Sequence, residues 1–180
     1  MSSKTLADLK NKDLFQTKGY INHASVDAVS GATFDVVNPA TLDKLAKVPE
    51  MGAEDVDKAV EAAAIAFQSY KKTSARQRAR WLRKWSDLCH ENIDDLALIL
   101  TLENGKTLTE AKGEVVYAAS FLEWFAGEAE RVHGETVPTA NLGQRIVTIK
   151  QPLGVAACLT PWNFPYASLV RLLSNGVVRS

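Results

Sequence analysis

The stretch Gln151–Tyr166, QPLGVAACLTPWNFPY, limits the possible folds more than any other part of this chain. Val155 to Thr160 is a short apolar run after Pro152 and Gly154, and it reads as a strand buried on both faces. Pro161 and Pro165 then bracket Trp162, Asn163 and Phe164. Each proline steers the residue before it away from helical geometry, so the backbone leaves the strand as an extended turn. A helical pattern resumes after Pro165. Strand, turn, helix is an α/β signature, and open α/β sheets bind ligands in the crevice at the carboxyl ends of their strands. Asn163 falls in that crevice. Its amide nitrogen offers two donors without a charge, which suits an oxygen that becomes negative only during a reaction. An asparagine between two prolines is equally an ordinary turn residue, and spacing alone favours that plainer reading.

Overall charge gives no pull toward two partner classes. Lysine plus arginine and aspartate plus glutamate number 21 each, so no global field draws the chain to nucleic acid or to a membrane surface. No stretch approaches a transmembrane length. With 46% hydrophobic and 23% charged residues in 180, the chain is of globular type and long enough for one sizeable core. Cys89 and Cys158 fit neither a pairing framework nor metal-like spacing, which points to a reducing compartment. The N-terminal text has no signal-like apolar run and carries Asp8 and Asp13, so a cytoplasmic location is expected, with a mitochondrial matrix as the alternative.

In chain order, residues 1–18 read as a polar leader. Residues 19–143 read as one unit, opening with a small antiparallel meander between Tyr20 and Val48 that is punctuated by Ser30-Gly31 and Asn38-Pro39. Four helices follow. Glu54 to Tyr70 repeats Val56, Val60, Ala63, Ala64 and Phe67 on one face. A second helix opens at Ser74, with Gln77 in the capping-box position, and buries Leu82, Trp85, Leu88 and Cys89. Its arginines and lysines interleave with Trp81 and Trp85, which allows a nucleic-acid-binding helix as a weaker alternative to a solvated face. Neighbours on a helix point about 100° apart, so Cys89 and His90 read as one core and one surface residue rather than a catalytic pair. A third helix runs from Asn92 to a stop at Gly105. The fourth, capped by Thr107 and Glu110, carries a stripe from Leu108 through Val115 and Leu122 to Val132, widened by Phe121 and Trp124. Residues 144–151 include RIVTIK, an edge or hairpin strand suited to pairing with another subunit. Residues 152–180 form the strand, turn and helix described first, and Cys158 is expected inside the buried strand.

Two separated runs, TLENGKTLTEAKGEVVYAASFLEWFAGEAERVHGE and QPLGVAACLTPWNFP, agree in order and spacing with the aldehyde dehydrogenase superfamily, and EAKGEVVYAASFLEWF is most similar to its succinate-semialdehyde dehydrogenase branch. The resemblance spans roughly residues 14 to 167. It implies the N-terminal part of the aldehyde dehydrogenase fold: an incomplete Rossmann-like cofactor domain with helices, a small β-meander and an oligomerisation strand at Arg145 to Lys150. One departure lies in INHASV, where the family usually has a glycine and a tryptophan in place of His23 and Val26.

By that resemblance, the expected activity is NAD- or NADP-dependent oxidation of an aldehyde, succinate semialdehyde to succinate. It proceeds through a thiol nucleophile, hydride transfer and thioester hydrolysis. Asn163 matches the asparagine that stabilises the tetrahedral oxyanion. Thr160, Pro161 and Trp162 match the turn beside the nicotinamide, and Phe164 matches an aromatic wall beside the substrate. Arg171, eight residues after Asn163, matches an arginine that holds the substrate's distal carboxylate. The text after Ser168 departs from the family's pattern, which leaves a plain surface arginine as the alternative. The family's catalytic cysteine, general-base glutamate, ribose-binding lysine and pyrophosphate-binding helix start belong to motifs downstream of PWNFP that this sequence does not contain. The chain alone is therefore expected to be inactive. The family forms homo-oligomers, so two other readings are a non-catalytic protein that joins full-length relatives through RIVTIK, and the product of a truncated gene.

Overall fold

The structure is a computed structural model that describes residues 4–179. Helices α2 (Ala75–Glu91), α3 (Ile93–Asn104), α4 (Leu108–Glu128) and α5 (Pro165–Arg179) form the packed body. Ahead of them lie strands β1 (Gly19–Ile21), β2 (Ala24–Val26), β3 (Thr33–Val37) and β4 (Lys44–Pro49) and helix α1 (Ala53–Tyr70). Strands β5 (Thr136–Val137) and β6 (Ile146–Val147) sit between α4 and α5.

Helix α4 is the centre. Ala118, Ala119, Leu122 and Ala126 on α4 pack with Ala79, Leu82 and Cys89 of α2 and with Ala167, Val170 and Val178 of α5. Alanines on the central helix let its neighbours approach closely. Leucines at the contact then fill the remaining space. Thr107 caps α4 as its sequence signals: the Glu110 amide donates to Thr107 Oγ1 at 3.3 Å, and the Thr107 amide donates to Glu110 Oε2 at 3.1 Å. Ser74 caps α2 through the Gln77 amide at 3.2 Å.

The polar leader is tied down. Leu9 packs with Leu98 and Leu102 of α3, and the buried Asp95 carboxylate accepts the Lys10 and Asn11 amides at 3.1 and 2.8 Å. The antiparallel text between Tyr20 and Val48 forms two hairpins that share no ladder, β1 with β2 and β3 with β4. In the first, Asn22 (φ 49°) and His23 (φ 63°) are both left-handed, the geometry of a two-residue primed turn.

Three expectations about the helices are corrected. The face of α1 predicted to be core is largely open: Val56 and Val60 are half exposed, Ala63 and Ala64 are exposed and only Phe67 is part-buried. The helix is held at its ends instead. Asp55 accepts the Val29 and Gly52 amides, while Tyr70 stacks on Trp81 and donates to the Val177 carbonyl at 3.0 Å. On α2 the buried arc runs Ala79, Leu82, Ser86, Cys89, so Leu88 is exposed and Trp85 only part-buried. The fourth helix ends at Glu128, short of Val132, and both Trp124 on α4 and Val132 beyond it are exposed.

The largest correction concerns Val155 to Thr160. It forms no regular element and joins no ladder among the described residues, and Val155, Leu159 and Cys158 are exposed. A strand buried on both faces needs partners along its edges and layers above and below. No described strand lies beside this one. Within RIVTIK only Ile146 and Val147 form a strand, β6, in a hairpin with β5, and Ile146, Val147 and Ile149 are exposed.

Candidate functional site

Sequence places Trp162, Asn163 and Phe164 between two prolines, and the α3–α4 connection grips that turn. Pro165 opens α5, where its missing N–H costs nothing. Asn104 Nδ2 donates to the Trp162 carbonyl at 3.0 Å, and Lys106 Nζ donates to the Asn163 carbonyl at 3.0 Å. Glu114 Oε1 accepts the Tyr166 and Ala167 amides at 2.9 and 3.1 Å, and its other oxygen pairs with Lys106. The Asn163 side chain itself is exposed and makes no hydrogen bond among the described residues.

Asn163 borders two adjoining hollows. One, of about 580 Å³, lies between α4 and the turn and is lined by Lys106, Glu110, Tyr117, Trp162, Asn163 and Phe164 among others. The second, of about 320 Å³, is lined by Tyr117, Phe121, Pro161, Asn163, Phe164 and Arg171 among others. The Arg171 guanidinium carbon lies 5.8 Å from the centre of the Phe121 ring, which stacks at a tilt on Tyr117. The structure thus brings Asn163, Phe164 and Arg171 to one concavity with Pro161, and Trp162 to the neighbouring one. Thr160 borders neither. Sequence reading missed Asn104, Lys106 and Glu114. Glu114 was the detectable one, because it interrupts the apolar stripe of α4 and a carboxylate there needs a buried partner.

Neither cysteine is an activated nucleophile here. Cys89 is buried with its sulfur 3.0 Å from Tyr166 Oη, and burial pushes its thiol up. Burial also pushes the Tyr166 hydroxyl up, the Cys89 hydrogen bond adding to it. Cys158 is exposed, which corrects its expected burial, yet no described residue hydrogen-bonds to it. Among the described residues no group of three or more His, Cys, Asp or Glu is arranged to hold a metal, and no helix is long and apolar enough to cross a membrane. The basic face of α2 is partly neutralised, with Arg76 on Glu130 at 2.9 Å and Lys84 near Glu91.

The class of protein follows from comparison with known families. The aldehyde dehydrogenase family model matches residues 26–178, and the chain belongs to that family. It is 50% identical over 163 residues to the glutarate-semialdehyde dehydrogenase of Pseudomonas aeruginosa, covering 91% of this chain and 34% of that protein. It is 48% identical to the NADP-dependent succinate-semialdehyde dehydrogenase of Escherichia coli, with the same coverage. The solved succinate-semialdehyde dehydrogenase of Burkholderia pseudomallei superposes with a TM-score of 0.93 at 48% identity, over 96% of this chain and 36% of that one. The chain spans about a third of the length of the curated relatives it matches. PnpE in complex with nicotinamide adenine dinucleotide superposes with a TM-score of 0.88 at 31% identity.

Proposed function

We propose that this segment provides the oxyanion donor and part of the substrate pocket for oxidation of a carboxylate-bearing aldehyde, such as succinate or glutarate semialdehyde. The observation that carries the reading is the Asn163 amide: unengaged, exposed and bordering both hollows. When a thiol adds to the aldehyde carbonyl, the carbonyl oxygen becomes an alkoxide. Asn163 Nδ2 donates to that oxygen more strongly than to the neutral carbonyl, and this difference is what accelerates the step. Phe164 walls the pocket. Arg171 receives the distal carboxylate through two parallel hydrogen bonds, with Phe121 behind its guanidinium.

NAD or NADP fits the exposed backbone of Thr160 and Pro161, where no described group occupies the polar atoms, with the exposed Trp162 next to it. Held there, a nicotinamide would supply the hydride acceptor. The thiol and the base that completes turnover are not among the residues described above, so the chain by itself is expected to produce no reduced nicotinamide cofactor. The exposed β5–β6 hairpin supports pairing with a second subunit, and the two free cysteines support a cytoplasmic location.

A chimera tests the reading. Residues 26–178 replace the matching segment of the Escherichia coli relative. The chimera is expected to oxidise succinate semialdehyde with NADP. Arg171→Met is expected to raise KM for the semialdehyde by about tenfold to a hundredfold while leaving an uncharged aldehyde of similar length unaffected, as expected for a lost charged hydrogen bond. An equal loss on both substrates would contradict the assignment of Arg171.

A further inference from the structure

A buried ion pair lies between the α3–α4 connection and the turn. The Glu114 side chain is fully shielded and that of Lys106 is 12% exposed. Two charges withdrawn from water often stabilise a fold no better than apolar packing would, so a buried pair is weak ground for a purely structural role. The contacts of this pair are directional. Glu114 Oε1 takes the Tyr166 and Ala167 amides, which are free donors in the first turn of α5. Its other oxygen holds Lys106 Nζ, and that ammonium also donates to the Asn163 carbonyl and sits 4.6 Å from the centre of the Phe164 ring.

The connection is shaped for this. Gly105 adopts φ 82°, and a Cβ there would stand 2.8 Å from Pro39 Cγ. That left-handed residue ends α3 and lets Asn104 and Lys106 reach consecutive carbonyls of the turn, those of Trp162 and Asn163. Since the Asn163 side chain has no anchor of its own among the described residues, its direction depends on its backbone. We propose that Lys106 and Glu114 are positioning residues, which fix the backbone of residues 162–164 so that the Asn163 amide stays aimed into the cleft. This rests on the reading of Asn163 as the oxyanion donor. The pair is neutral as a whole, so its part is geometric rather than a field on the reacting atoms.

The test is backbone ¹⁵N relaxation on the full 180-residue chain. In the unsubstituted chain the amides of Trp162 to Phe164 are expected at rigid order parameters near about 0.85. Lys106→Met is expected to drop them below about 0.6. Lys106→Arg, which keeps the charge and its donors, is expected to restore them. Lys106→Met leaves an unpaired carboxylate in the interior and is the variant at risk of not folding. Lys106→Met/Glu114→Gln removes that charge, so its unfolding midpoint is expected to return towards that of the unsubstituted chain while the order at 162–164 stays lost. Order in the double variant equal to that of the unsubstituted chain, or recovering in step with its stability, would overturn the proposal. Normal turnover in a chimera carrying Asn163→Ala would instead sink the oxyanion reading, and that failure leaves the relaxation result untouched.

Discussion

His23 carries a left-handed backbone (φ 63°) in the two-residue turn between β1 and β2. A side chain there costs of order 1 kcal/mol, and glycine adopts the same angles freely. His23→Gly is therefore expected to raise stability by about 0.5–1 kcal/mol in denaturant unfolding, and a lower midpoint would refute this account of the turn. Asp94 gives a pH signature. Its carboxyl is lowered to about 2 from the ordinary 3.8 by hydrogen bonds from Lys112 at 2.7 Å and Lys10 at 3.0 Å. A folded-state value below the unfolded one means that its contribution is fully present above the unfolded value. It is lost as pH falls through the range from 3.8 to about 2. Stability measured across that window is expected to fall less steeply in Asp94→Asn than in the unsubstituted chain. Equal slopes would show that other carboxylates dominate acid unfolding.

At the scale of elements, capping and periodicity located the helices because these are local properties: Thr107, Ser74 and Gly105 mark the boundaries they were expected to mark. Burial is not local. The stripe Val56, Val60 and Phe67 says that α1 has a face to cover, and says nothing of what covers it; two of the three are half exposed. The same holds for Val155 and Leu159, whose apolar run reads as a strand and which join no ladder among the described residues. At the site, two prolines made the turn around Asn163 legible, while the donor role of its amide came only from the family resemblance. Lys106 and Asn104 were not, since their role depends on a contact across 57 and 58 residues. Substitutions separate the two kinds of face. Val60→Asp on α1 is expected to change unfolding free energy by less than about 0.5 kcal/mol, as at other exposed sites, whereas Leu122→Ala is expected to cost about 2–5 kcal/mol. A large loss from Val60→Asp would mean that α1 is covered in solution.

At the scale of the whole molecule, a packed body of α2, α3, α4 and α5 holds one turn in place while α1, the 151–160 run and the β5–β6 hairpin present apolar side chains outward. The asymmetry is one of burial: the body holds the turn that carries Asn163, and the other faces leave their apolar side chains uncovered. The account stands or falls on the Asn163 amide as donor to a developing alkoxide. Single-turnover formation of reduced cofactor isolates that step from product release. In the chimera, Asn163→Ala is expected to slow it by about 10²–10³-fold, the size of a lost oxyanion donor, with cofactor affinity unchanged. An unaltered single-turnover rate would contradict the central claim.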